Sequence, residues 1–274
     1  MELIKATLFD VDGVLITGGK FDSTPTELKE AIAEMRESDI LFNLASGRPL
    51  FEQEKLFRII TNNEIPPKPL EGILYEASAV KLWNDNQKYR VGGLNAEQID
   101  QIESFSTQHG LFTGMVPQSN NRRYETQLGY VTPTFRTIGE TDKQLLETVY
   151  TQVKPIIELE FPFAQVEMSA DAVDIMAKGV SKDKPTLEYA RVTGISLDHV
   201  AAIGDSGGDM GMLREVARVA GRVAYVGENE THIRELQSIA LRFTDGRFIE
   251  TKNKGPEGAV EFVRAILDHN KKYE

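Results

Sequence analysis

The chain has 274 residues, 41% hydrophobic and 27% charged, and its 42 Asp and Glu outnumber 31 Lys and Arg to give a net charge of −11. That length buries a sizeable core in one large domain or two moderate ones, and the acidity argues against a nucleic-acid footprint, which would be a basic patch. There is no cysteine, which excludes disulfides, thiolate metal sites and cysteine nucleophiles. Small anionic substrates stay open, because a bound cation reverses the local sign. No apolar run approaches the roughly eighteen residues that span a bilayer. The opening "MELIKATLFDVDG" reads as a buried strand rather than a basic leader with a long apolar stretch. The expected compartment is the cytoplasm, with no nucleic-acid or membrane partner, and the expected state is a monomer or homodimer.

In chain order, "LIKATLF" (3–9) reads as a strand followed by a glycine-containing loop. "TPTELKEAIAEMRES" then reads as a helix, with Thr24 as the expected N-cap and Pro25 in the first turn. "ILFNLA" (40–45) is a second buried strand, "PLFEQEKLFRIITNN" a second helix and "EGILYEA" (71–77) a third strand. From about Asn84 to Lys178 the pattern changes: a helix over 95–109, two strand-like stretches, a helix over 141–155, then "AQVEMS" and "AVDIMA" joined by the turn-like Ala170-Asp171. After residue 180 the first grammar returns, with a helix, the strand "VAAIG", the helix "DMGMLREVARVA", the strand "VAYVG", a helix and then "IALRFT". Strands alternating with helices imply an α/β fold, a parallel sheet with helices on both faces. The middle implies an inserted α+β domain with an antiparallel sheet. The expected domains are residues 1–83 with 179–274, and 84–178.

Ligands of open α/β sheets bind at the carboxyl ends of the strands, so the polar residues just after each apolar run matter most. After the first run come Asp10 and Asp12 in "LFDVDGVL"; after the second, Ser46, Gly47 and Arg48 in "NLASGRP"; after "VAAIG", Asp205 and Asp209 in "GDSGGDMGML". A carboxylate can attack phosphorus to form an aspartyl-phosphate, and a second group must then protonate the leaving oxygen and activate water. Asp12, in a loop loosened by Gly13, can turn back for that purpose, although strand ends also carry Asp simply as turn formers. Asp205 and Asp209 repel each other unless a cation lies between them, and Mg²⁺ takes one or two carboxylates plus water and phosphate. Asp209 could also merely cap the helix that follows. Ser46, with its hydroxyl and the neighbouring backbone N–H groups at Gly47, suits a phosphoryl oxygen. A fixed positive charge is still needed; Lys182 in "AKGVSKDKPTLEYA" begins a helix, with Lys178 and Lys184 as rivals. Arg122, Arg123 and Tyr124 in "SNNRRYETQ" suit either a second anionic group of a substrate or a solvated hairpin tip. The four histidines, His109, His199, His232 and His269, show no metal-ligand spacing and read as structural or surface residues.

Together these stretches resemble the haloacid dehalogenase-like (HAD) phosphatase superfamily. "LFDVDGVL" is similar to its first motif, "LASGR" to its second, "GVSKDKPTLEYA" to its third and "IGDSGGDMGML" to its fourth, all in order. The insertion resembles the α+β cap of subclass IIB, which includes Cof-type phosphatases, sucrose-phosphate and mannosyl-phosphoglycerate phosphatases, and phosphomannomutases. "YVGENE" and "NKGPEGAVEFVRAIL" resemble the tail of Cof-type sequences. The resemblance implies Asp10 as nucleophile and metal ligand, and Asp12 as general acid/base that also binds Mg²⁺ through its main-chain carbonyl. It implies Ser46, Gly47 and Lys182 as phosphate ligands, and Asp205 and Asp209 completing the Mg²⁺ site. Two positions depart from the pattern. Gly208 stands where the fourth motif usually has Asn, and Glu228 precedes Asn229 where relatives often show a shorter Asn-Ala pair.

The implied function is a Mg²⁺-dependent phosphatase of a small phosphorylated metabolite, a sugar phosphate or phosphorylated acid. The same core would serve a phosphomutase, since both pass through an aspartyl-phosphate. A phospho-accepting receiver or an idle binding module is the alternative of another class. Asp12 speaks against it, because an idle module has no use for a general acid.

Overall fold

In the computed structural model of the protein the described residues are 3–48, 50–62, 67–75, 79–83, 88–113, 115–117, 134–137, 142–168, 172–179, 181–243 and 247–273. The chain divides into two compact units, Met1–Val91 with Ser181–Glu274, and Gly92–Val180.

The first unit is built on a mixed, mostly parallel sheet. Strands β1 (Ala6–Phe9), β2 (Leu41–Ser46), β3 (Gly72–Tyr75), β4 (Ala79–Leu82) and β5 (Lys88–Arg90) come before the insertion. Strands β10 (Val200–Gly204) and β11 (Arg222–Tyr225) come after it. Their order is β11-β10-β1-β2-β3-β4-β5. The first five run parallel, whereas β4 pairs antiparallel with both β3 and β5. β5 therefore belongs to this sheet, and the unit extends to Val91, past the expected boundary at residue 83. Every residue of β1, β10 and β11 is buried, as a sheet covered on both faces requires.

Alternate residues of β1 divide the core. Ala6 and Leu8 join a cluster with Tyr189 of α5 (Asp183–Thr193), with Leu213 and Val216 of α6 (Met210–Arg218), and with Leu236 of α7 (Glu230–Ala240). Phe9 instead meets Phe42 and Phe262 edge-on, and Phe42 stacks on Phe57. Phe57 comes from α2 (Leu50–Ile60) and Phe262 from α8 (Gly255–Asn270), which lies against α1 (Thr26–Glu37). Leu28, Ala31, Ile32 and Met35 give α1 its apolar stripe.

Three local expectations change. The N-cap of α1 is Pro25, and the buried Thr24 makes no capping hydrogen bond. The fixed φ of proline itself starts the helix. Ile239 and Ala240 of "IALRFT" complete α7, and the backbone beside β11 is supplied by Phe248, bridged to Val223. The helix expected over 141–155 runs on through Pro155 to Glu160.

The second unit pairs helices α3 (Ala96–Gln108) and α4 (Lys143–Glu160) with an antiparallel sheet ordered β6-β7-β9-β8. Its strands are β6 (Met115–Pro117), β7 (Thr134–Thr137), β8 (Ala164–Met168) and β9 (Ala172–Ala177). Ile99 and Ile102 of α3 and Val149, Val153 and Ile157 of α4 share one core with Val166, Val173 and Ile175. Asn95 caps α3 through a capping box with Gln98. The turn expected at Ala170-Asp171 and the stretch with Arg122, Arg123 and Tyr124 lie outside the described residues.

Candidate active site

β1, β10 and β2 are hydrogen-bonded neighbours, so the residues after their carboxyl ends meet at one sheet edge. Asp10 follows β1, its N–H donating to the Ile203 carbonyl of β10 at 3.0 Å. Its side chain is 7% exposed and its carboxylate receives the Lys182 ammonium at 2.6 Å. The same ammonium donates to Asp209 Oδ1 at 2.6 Å, with Lys182 itself only 4% exposed. One oxygen each from Asp10, Asp205 and Asp209 lies within 4.8 Å of the others.

Lys182 occupies the N-cap position of α5 with a helical backbone and no side-chain capping bond. A cation there opposes the helix dipole, and the two carboxylates supply the compensating attraction. Of its rivals, Lys178 is exposed and Lys184 half-buried; neither makes such a bridge among the described contacts.

Asp209 serves two purposes at once. Its Oδ2 accepts from the Asp205 N–H at 3.0 Å, the Ser206 N–H at 2.9 Å and the Ser206 hydroxyl at 3.0 Å. It thereby caps the short turn Gly207–Asp209 ahead of α6 while Oδ1 faces Lys182. Gly204 is tied to this arrangement, because a Cβ there would collide with the Asp209 side chain. Gly13 is tied to Asp205 in the same way. Its φ is +75°, a left-handed conformation, and a Cβ would fall inside the Asp205 carboxylate.

The charge balance is unfavourable without a cation. Three clustered carboxylates face one ammonium. Burial first, then the Asp209 charge, raise the Asp10 carboxyl well above its ordinary value of 3.8 despite Lys182. The same two causes push Asp205 up to about 6. Clustered oxygen donors with excess negative charge match what a hard divalent ion takes, so the donor set fits a divalent metal in number and kind.

Asp12 stands apart. Its carboxylate lies outside the Asp10–Asp205–Asp209 cluster, 49% exposed, with both oxygens on Arg48. Arg48 also donates to Glu52 at 2.8 Å and lies 5.4 Å over the Phe21 ring. Ser46, buried at the end of β2, accepts from the Arg48 N–H at 3.2 Å, and Gly47 beside it is exposed. Sequence reasoning gave Arg48 no role. The only signal was that it trails a strand adjacent to that of Asp12. Asn229, noted as a departure, caps α7 by accepting from Thr231 and His232 N–H.

Fold and site define an α/β core with an acidic, lysine-bridged centre and an inserted α+β unit. The chain belongs to the haloacid dehalogenase-like hydrolase family, whose model matches residues 7–66 and 53–220, and its α+β cap is that of subclass IIB. No curated protein sequence matches the chain significantly. Among solved structures it is similar to a Thermoplasma acidophilum protein, at 16% identity over 97% of this chain and 99% of that one, with a TM-score of 0.68. A haloacid dehalogenase-like hydrolase from Bacteroides thetaiotaomicron matches at 15% identity, 96% and 99% coverage and a TM-score of 0.67. The sucrose-phosphatase of Synechocystis sp. PCC6803, solved with sucrose and phosphate, matches at 13% identity, 97% and 99% coverage and a TM-score of 0.59. Among the described residues no helix is long and apolar enough to cross a membrane.

Proposed function

We propose that the protein is a Mg²⁺-dependent phosphomonoester hydrolase acting in the cytoplasm on a small phosphorylated metabolite, a sugar phosphate or phosphorylated acid. The observation that carries this reading is the buried Lys182 ammonium bridging Asp10 and Asp209, with Asp205 beside them. A carboxylate fixed by a lysine at a strand end is a preorganised nucleophile.

An Asp10 oxygen attacks phosphorus, the bond from phosphorus to the ester oxygen breaks, and Asp12 gives that oxygen its proton. Asp12, now a carboxylate, takes a proton from a water that attacks the aspartyl-phosphate, and phosphate leaves with Asp10 restored. The Ser46 hydroxyl, the Gly47 backbone and the Lys182 ammonium hold the phosphoryl oxygens. Asp10, Asp205 and Asp209, with the main-chain carbonyl of Asp12, would hold Mg²⁺, which when bound neutralises charge on the phosphoryl group. Arg48 keeps the Asp12 carboxylate oriented between turnovers.

Phosphate release from a generic aryl phosphate, measured with and without Mg²⁺ and in Asp10→Asn, tests the reading. Full activity in that variant or in chelator would overturn it. A bisphosphate requirement without net phosphate release would assign the core to a phosphomutase instead.

A further inference from the structure

We propose that Tyr225 and His232 form a positioning pair that buttresses the Gly207–Asp209 turn and, through it, the cation site. The inference rests on the cation-dependent reading above and assigns a role to two residues outside the four ordered motifs.

Tyr225 is the last residue of β11, in register with Gly204 at the end of β10. Its side chain is buried, and a buried hydroxyl requires a partner. That partner is His232 Nδ1 at 2.9 Å, with the two rings nearly perpendicular at 83°. Burial and the Asp205 and Asp209 charges hold the phenol neutral, its pKa pushed up to about 12. A neutral phenol can donate to Nδ1 or accept from it, so the bond forms with either imidazole tautomer.

Both residues abut the acidic loop. A Cβ on Gly207 would stand 3.5 Å from His232 Cε1 and 4.0 Å from Nε2, so the imidazole edge faces the turn that delivers Asp209 across the space a side chain there would fill. On the other side, the Asp205 carbonyl and the Tyr225 ring edge both crowd Gly227 so closely that a side chain there would clash. His232 is fixed in turn by its place in the first turn of α7, where Asn229 accepts its N–H at 3.4 Å. One hydrogen bond thus ties the end of β11 to the start of α7, beside a loop whose own Gly207 and Gly208 offer no side chain to hold it. Such outer contacts commonly set how well ligands are aimed.

The test is Mg²⁺ binding to the whole protein, read by calorimetry and by the Mg²⁺-induced rise in unfolding temperature, with no turnover needed. Tyr225→Phe keeps the ring and removes the bond. It should weaken Mg²⁺ binding about tenfold, with kcat at saturating Mg²⁺ near that of the unaltered protein and the unfolding temperature in chelator little changed. His232→Ala should weaken binding at least as much, and His232→Asn, which keeps an acceptor near Nδ1, should recover part of the loss. Unchanged Mg²⁺ affinity in Tyr225→Phe and His232→Ala overturns the positioning role alone. If the unaltered protein itself binds no Mg²⁺, the cation-dependent reading falls and the pair's role falls with it.

Discussion

Arg48 grips both oxygens of Asp12, with Nε at 2.6 Å from Oδ2 and Nη2 at 2.8 Å from Oδ1. A planar fork meeting a carboxylate in this way fixes orientation as well as charge, which an ammonium cannot reproduce. The Phe21 ring and Glu52 complete the seat of the guanidinium.

Arg48→Lys should therefore misplace the proton donor without disturbing the Asp10–Lys182–Asp209 bridge. The expected signature depends on the leaving group. An aryl phosphate, whose leaving oxygen is stable as an anion, should lose only a few-fold in kcat, whereas an alkyl phosphate should lose about a hundredfold, within the range of acid catalysis. Steady-state kinetics on the two substrates decides it. An equal loss on both would mean that Arg48 acts on phosphate binding instead.

Gly13→Ala places a side chain at φ +75° and drives it into the Asp205 carboxylate. The left-handed backbone alone costs about 1–2 kcal/mol, and Asp205 must move as well. The variant should fold with a lowered unfolding temperature and lose the Mg²⁺-induced stabilisation. Retention of that stabilisation in a melting experiment would contradict the proposed ligand set.

The acid cluster also fixes a pH dependence for the metal-free protein. Burial and Asp209 raise Asp10 and Asp205 above 3.8, Asp205 to about 6. Between those values the native state holds more protons than the unfolded chain, so this contribution to stability falls as pH rises through the window. Protons and Mg²⁺ compete for the same oxygens. Melting in chelator and in Mg²⁺ should show a larger metal-induced rise at pH 7.5 than at pH 5. Asp205→Asn should flatten the chelator profile. A larger rise at pH 5 would contradict the cluster as the metal site.

The acidic centre was legible in the sequence because each of its residues directly follows a buried strand or opens a helix, and short apolar runs such as "VAAIG" mark those strands without ambiguity. Asp10, Lys182, Asp205 and Asp209 are all of this kind, and Ser46 ends the strand beside them. What was not legible depends on long-range side-chain partners. Asp12 and Arg48 are 36 residues apart, and nothing in either segment specifies a bidentate pair. Tyr225 and His232 lie close in sequence, but only the packing of Asp205 against Gly227 reveals what they face. Thr24 misled for a local reason: it suits an N-cap, yet Pro25 fixes the backbone one residue later and leaves the threonine buried. The extension of the first unit to Val91 was hidden because β4 and β5 run antiparallel with no helix between them.

The register that brings Ser46 to the sheet edge rests on a buried ion pair distant from the site. Glu71 is 0% and Arg36 1% exposed, joined at 2.7 and 2.8 Å. Glu71 also accepts the N–H groups of Phe42 on β2 and of Lys68. One residue on, Asn43 accepts the Gly72 N–H of β3 and donates to the Thr7 carbonyl of β1. Arg36→Met removes the cation and strands a buried carboxylate, which costs about 3–5 kcal/mol. Adding Glu71→Gln should recover part of that, because a neutral amide is cheaper to bury than an unpaired charge. Urea unfolding of the two variants measures both steps. The fraction that remains folded should keep its kcat, since neither side chain approaches the Asp10 cluster. A single variant within 1 kcal/mol of the unaltered protein would mean that the pair specifies register without contributing stability.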